Sequence, residues 1–121
     1  MSKSLNNSVL DAALNKVATG TIMTICSSQP TSRTEAVTTY ALADVTLTGG
    51  DFTLANGDTS GRKVTIAQKT TIPIDTTGTA NHIAICDSTD LLLVTTCASQ
   101  QLIQGGTVTN PAFKYEITSP I

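Results

Sequence analysis

The chain of 121 residues contains no tryptophan, and its aromatics are limited to Tyr40, Phe52, Phe113 and Tyr115. Stacking platforms for single-stranded nucleic acid are therefore scarce. Lys and Arg number 7 against 9 Asp and Glu, giving a net charge of −2. The basic footprint that nucleic-acid binding requires is absent as well. Charged residues of both signs make up 13% of the chain, about half the usual share in soluble proteins. No long hydrophobic run compensates. The longest aliphatic stretch is LLLV at 91–94, whereas a membrane-spanning helix needs about 20 apolar residues. The first sixteen residues, MSKSLNNSVLDAALNK, lack the apolar centre of a signal peptide, so a cytoplasmic site of synthesis is expected. Cysteine is also sparse. Cys26, Cys86 and Cys97 are odd in number and lack C-x2-C spacing, which argues against a disulfide framework and against a zinc site. All three lie in apolar runs and are expected as buried free thiols.

What fills the gap is threonine, with 23 residues. Its branched side chain favours strands, and its hydroxyl keeps an outer face wet. Hydrophobic residues are 40% of the chain, enough to exclude disorder and to give one domain of this length its own core. Residues 1–6 read as a flexible arm and 7–121 as one β-rich domain. Within it, Leu10, Ala13, Leu14 and Val17 recur at helical spacing, which predicts a short helix over about 7–19. Asn7 or Ser8 suits its cap, Asp11 its first turn, and Gly20 its end.

After Gly20 the period becomes two. Strands are predicted at 21–26, 44–50, 51–54, 62–70, 79–87, 90–97 and 112–118. The segment 33–45 reads either as a helical turn behind Thr34 or as the approach to a strand. Pro73 makes 70–78 an edge strand or a loop. The strongest hairpin joins 79–87 to 90–97 through the turn DSTD. About seven or eight short strands with one N-terminal helix predict a mainly β fold, an antiparallel sandwich or barrel-like domain.

Candidate chemistry is concentrated in DFTLANGDTSGRKVTI at 51–66. Asn56, Asp58 and Ser60 alternate like calcium ligands, but no Glu closes the frame, and Arg62 and Lys63 would repel a divalent ion. As a phosphate loop, GDTSGRKV has its second glycine one place early and leads into a strand instead of a helix. Turn chemistry is the better reading. His82 shares a strand face with Ala84 and Cys86, too far along the strand for a Cys86–His82 pair. A regular four-residue turn would set Ala80, not His82, opposite Cys97. The carboxylates Asp51, Asp58, Asp75, Asp87, Asp90 and Glu116 mark no cleft, and no nucleophile elbow is present. No catalytic set, cofactor site or metal site is expected, so the residues do not read as an enzyme.

The ordered strings RTEAVTTYALADVTLTGGDF, DTSGRKVTI, GTANHIAICDSTDLLLVTTC and GGTVTNPAFKYEI resemble small structural proteins of tailed bacteriophages and prophages, among them proteins of the virion head. The resemblance runs from the LDAAL helix to the final strand. It implies a non-enzymatic capsid decoration or cement protein on the head exterior, made in the bacterial cytoplasm. The implied partners are the major capsid protein lattice and copies of the chain itself, with a trimer at a lattice three-fold point fitting that role. Nucleic acid, membrane and small-molecule substrates are not implied. Lattice contacts would fall to the arm, Met1, Ser2, Lys3, Ser4, Leu5 and Asn6, and to the tail, with Pro120 and Ile121. The alternative is a component of the phage tail or of a receptor-binding fibre.

Overall fold

The computed structural model describes residues 5–118. One helix, α1 (Asn7–Val17), precedes nine strands: β1 (Ile22–Cys26), β2 (Ala41–Thr46), β3 (Phe52–Asn56), β4 (Arg62–Ile66), β5 (Lys69–Pro73), β6 (Gly78–Cys86), β7 (Leu91–Leu102), β8 (Thr107–Asn110) and β9 (Phe113–Ile117). They form three antiparallel sheets, with strand orders β2-β1-β6-β7, β3-β4-β9 and β5-β8. The expected mainly β architecture with one short N-terminal helix is what forms.

The helix begins one residue earlier than its expected caps. Asn6 is the N-cap, and its Oδ1 accepts from Ser8 N at 2.8 Å. Asn6 is thus part of the folded unit, not of a loose arm. Leu10, Leu14 and Val17 are buried, while Ala13, one turn off that stripe, is exposed. Asp11 falls in the second turn, beyond the reach of the helix N-terminus, and pairs with Arg62 instead.

Leu14 and Val17 enter the main core with Met23, Ile25, Phe52, Val64, Ile66, Ile72, Ile83 and Ile85, so that α1 and all three sheets share one apolar interior. The four-stranded sheet is covered on its other face too. There Cys26, Ala84 and Cys86 pack under Ala36, Val37 and Tyr40. Those last residues belong to a π-helical turn at Glu35–Thr39 and its cap, closed by Tyr40 N donating to Glu35 O at 2.8 Å. The helical reading of 33–45 holds for its first half, but Thr34 makes no side-chain cap. Ser32 Oγ accepts from Glu35 N at 3.2 Å in its place. Because β6 is buried on both faces, its run of apolar residues is nearly continuous and not alternating.

Two strand boundaries differ from the sequence expectation for a visible reason. The strand expected at 44–50 runs earlier, as β2, and Gly49–Asp51 form a 3₁₀ turn. Asp51 closes that turn by accepting from Thr48 N at 2.8 Å, so it is a cap and not the first strand residue. The strand expected at 62–70 breaks in two. Ala67 N donates to Asp51 O at 2.8 Å, Lys69 Nζ meets Asp51 at 2.9 Å, and the chain turns this corner into a different sheet. The second piece, β5, takes up the segment expected as an edge strand or loop at 70–78, and β8 at Thr107–Asn110 brings the count to nine where seven or eight were expected.

Candidate functional site

The turn at 57–61 is closed by Gly57 N donating to Gly61 O at 2.9 Å, with Gly61 at φ 68°, a backbone region open to glycine. Asp58 does not face an open ligand position. Its carboxylate is held by Lys63 Nζ at 2.7 Å and by Lys114 Nζ, while its backbone N–H donates to Glu116 Oε1 at 2.5 Å. Beside it, Arg62 Nε donates to Asp11 at 2.7 Å and Nη1 to Asn56 Oδ1 at 2.8 Å. Two ammonium groups thus occupy the carboxylate that a cation would need. The turn is a clip that fastens the β3–β4 hairpin to β9 and to α1. Among the described residues, no group of three or more His, Cys, Asp or Glu is placed to hold a metal ion.

The same use of charge recurs across the fold. Lys16 pairs with Asp87 at 3.6 Å, Lys69 with Asp51, and Arg33 Nε donates to Asp87 O at 2.7 Å. Every described lysine and arginine is therefore engaged within the chain, and all but Lys63, which pairs with Asp58 in its own hairpin, bridge segments distant in sequence. Asp87 also caps the β6–β7 turn, its Oδ1 accepting from Thr89 N at 2.8 Å and Asp90 N at 2.6 Å. Those two backbone donors hold its carboxyl down at about 2, with a smaller contribution from Lys16.

His82 and Cys97 are not brought into register. Two shifts in the β6–β7 ladder set His82 opposite Thr96 and Ala80 opposite Gln100. The expected Ala80–Cys97 pairing is therefore replaced by a bulge, in which Cys97, Ala98 and Ser99 face Asn81 alone. His82 Nδ1 lies 2.6 Å from Asn81 Oδ1, an acceptor, and so donates to it. Cys26 is a structural thiol, 3.4 Å from Thr24 Oγ1 and 3.5 Å from Ala36 O. Cys26 and Cys86 are buried free thiols as expected, whereas Cys97, at the bulge, is only partly buried; desolvation pushes all three thiols up, away from the thiolate.

Two features had no signal in the sequence. Asp44 on β2 lies beside Asp75, just after β5, and its carboxyl is raised first by desolvation and then by that neighbour. The pair forms because Asp75 N and Thr76 N donate to Leu42 O at 2.8 and 3.1 Å, which ties two distant segments together. The second feature is a cavity of about 350 Å³ between the bulged part of β6–β7 and the β8–β9 segment. Its floor includes Ile25, Ile83, Leu102 and Phe113, and hydroxyl and amide groups from Thr96, Gln100 and Asn110 edge it. Lys114 at its rim is engaged by Asp58, and Asn110 Nδ2 donates to Met23 Sδ at 3.5 Å.

The most accessible apolar features are peripheral. Among the described residues the exposed large apolar side chains are Ile103 at 64%, Val9 at 52%, and Leu5 and Tyr115 at 44% each, with Leu5 and Val9 both near the start of α1. Of the expected lattice-contact residues, Leu5 and Asn6 are described. Met1, Ser2, Lys3, Ser4, Pro120 and Ile121 lie outside the described residues. The other accessible feature is β7, the longest strand and an edge of its sheet. From Leu91 to Ile103 it carries no charged residue and no proline. Comparison with protein-family models, with curated proteins and with solved structures finds no match to this chain.

Proposed function

We propose that this chain is a non-enzymatic structural component of a tailed-bacteriophage virion, a decoration or cement protein bound to the exterior of the head. The observation that carries this reading is the contrast between clipped charge and an open edge. The described cations are all engaged in internal bridges, while the longest strand presents an uncharged border. A β edge of that kind is an assembly surface, because its unpaired backbone groups template pairing with another chain. Leu5 and Val9, exposed beside the N-terminal arm, add a second contact point suited to an apolar depression on a lattice. Many weak contacts repeated by symmetry hold such a protein in place without any single strong site. The family resemblance of the sequence supports the same assignment.

The test is cryo-EM of purified virions combined with mass spectrometry of their proteins. The expected result is density for this nine-stranded fold repeated over the head exterior. Density confined to the tail or fibres, or absence of the chain from virions, would overturn the assignment.

A further inference from the structure

We propose that the open edge of β7 pairs antiparallel with β7 of a second copy, about a two-fold axis. The two four-stranded sheets then join into one continuous sheet. This inference rests on reading β7 as an assembly surface and names its partner.

Among the described residues, β7 is hydrogen-bonded to β6 alone, and no backbone hydrogen bond from another element reaches its outer border. Burial points the same way. Ala84, Ile85 and Cys86 of β6 are buried, yet their partners Val94, Leu93 and Leu91 are only half-buried, as is Leu92. Leu92 and Leu93 belong to the main core, while Leu91 and Val94 belong to the cluster on the other face. Aliphatic side chains are therefore left partly uncovered on both faces of the sheet at one border. A strand added there would cover both sets at once, which an approaching helix or loop on one face would not do.

The choice of a second copy follows from charge and from the other edges. Fold edges are ordinarily protected by lysine, proline or short length. The edge strand β9 carries Lys114 and Glu116, β5 carries Lys69 and Pro73, β8 has four residues, β3 is uncharged but has only five, and β2 is bridged at Ala43 to Ile74. The border of β7 has none of these devices over Leu91–Thr96. A one-residue bulge at Leu92 and the larger one after Thr96 limit its regular stretch to Leu93–Thr96. A charged partner strand would lose hydration against the leucines without gaining a counter-charge. The strand best matched to an uncharged aliphatic–threonine border is an identical one, and antiparallel pairing of identical strands about a two-fold meets no like charge. Closed two-fold pairing also removes the border, which limits the assembly to a dimer. A trimer at a lattice three-fold point would need a different, head-to-tail interface.

The experiment is sedimentation velocity on the full chain over a concentration series, with hydrogen-exchange mass spectrometry at its low and high ends. The expected result is a species of twice the 12.5 kDa monomer mass that grows with concentration. Amides within 91–96 should gain protection at the high end and other segments should not. Thr96→Lys, at an exposed position on the border, should weaken association by about tenfold or more, because lysine on an edge opposes pairing. Its thermal midpoint, measured alongside, reports whether the variant is folded. The wild-type exchange data need no variant at all. A chain that stays monomeric up to about 0.1 mM, well above the micromolar range of ordinary specific pairs, would overturn the proposal. So would a trimer, or protection that appears at Leu5 and Val9 and not at β7. These outcomes are independent of whether the protein is found on virions, so the two readings fail separately.

Discussion

Gly20→Ala should destabilise the fold, for a reason that a helix-cap reading of this glycine does not contain. The sequence places Gly20 where a helix ends, the usual site of a left-handed residue. In the structure the cap is Ala18, and the positive-φ glycines are Gly61 and Gly105, not Gly20. What requires glycine is space. A Cβ at position 20 would lie 2.5 Å from Ile85 Cγ2, 3.2 Å from Val17 O and 3.4 Å from Phe52 Cζ. Carbon atoms in contact sit about 3.5–4.0 Å apart, so the first overlap is about 1 Å. Ile85 cannot swing clear easily. It is 1% exposed, and a branched Cγ2 sits on a stiff χ1. Overpacking of this kind costs about 1–3 kcal/mol. The smaller freedom of alanine in the unfolded chain offsets about 0.4–1 kcal/mol of that. The expected net loss is about 1–2 kcal/mol. With an unfolding entropy of about 2.1 cal/mol/K per residue, the thermal midpoint should fall by about 4–8 °C. Differential scanning calorimetry reads this directly. Gly49→Ala is the control, since nothing lies within 4 Å of a Cβ there, and it should be neutral or slightly stabilising. Gly20→Asn separates the two accounts. Asparagine tolerates the left-handed region and would be milder than alanine if Gly20 were a cap, but it is larger and so worse if space decides. An unchanged or raised midpoint for Gly20→Ala would refute the steric account.

Two further outcomes follow from strain and from charge. Thr71 is a β-branched residue at φ 55°, exposed on β5 where the ladder to β8 shifts register. A left-handed residue with a Cβ costs about 1–2 kcal/mol, so Thr71→Asn or Thr71→Gly should raise the thermal midpoint, with a fall counting against strain at this site. The Asp87 carboxyl is lowered to about 2 from an unfolded value of 3.8. A lowered carboxylate contributes stability that is fully present above pH about 4 and lost as pH falls through about 2. Thermal midpoints of Asp87→Asn should therefore lie below wild type at neutral pH and converge on it between pH 4 and 2. Parallel curves over that window would show that the charge is not what Asp87 contributes.

Much of the architecture is carried by local pattern. The Leu10–Leu14–Val17 stripe, the alternation around Val64 and Ile66, and the DSTD turn each depend on neighbours within a few residues, and each forms as its spacing implies. Where the sequence misleads, the deciding contact is distant. The strand at 62–70 breaks because the chain leaves its ladder with β3 after Ile66 and from Lys69 pairs with β8, where Asn110 is its partner. The β6–β7 register shifts because three residues of β7 must fit against Asn81, and period-two alternation carries no mark of a bulge. The Asp44–Asp75 pair and the cavity are consequences of such long-range placement, so neither leaves a local motif. The polar loop at 51–66 is the instructive case. Its composition correctly announces a turn. The partners that make it a clip, Asp11, Lys114 and Glu116, come from elements about fifty residues away on either side.

The scarcity of charge and the open border of β7 are connected through topology. Exposed ion pairs are individually weak, so the clips at Asp58, Asp51 and Asp11 are better understood as fixing the arrangement of elements than as its main source of stability. That source is the shared apolar interior. With the cations so placed, five of the six lie along α1, the β3–β4–β9 sheet and the corner at Lys69, and the sixth, Arg33, holds the π-helical segment to the hairpin end. The four-stranded sheet therefore has a charged neighbourhood at its hairpin end, Asp44 on the opposite edge strand β2, and a neutral border along β7. In a monomer that border would be a liability for uncontrolled pairing. In an assembly it is the surface that needs no change to be used, and the bulges at Leu92 and at Cys97–Ser99 confine the regular part of it to Leu93–Thr96. A short, regular, uncharged border terminated by a bulge supports one closed pairing and resists an open-ended one, because a second strand laid along it has no further free edge to offer at the same place.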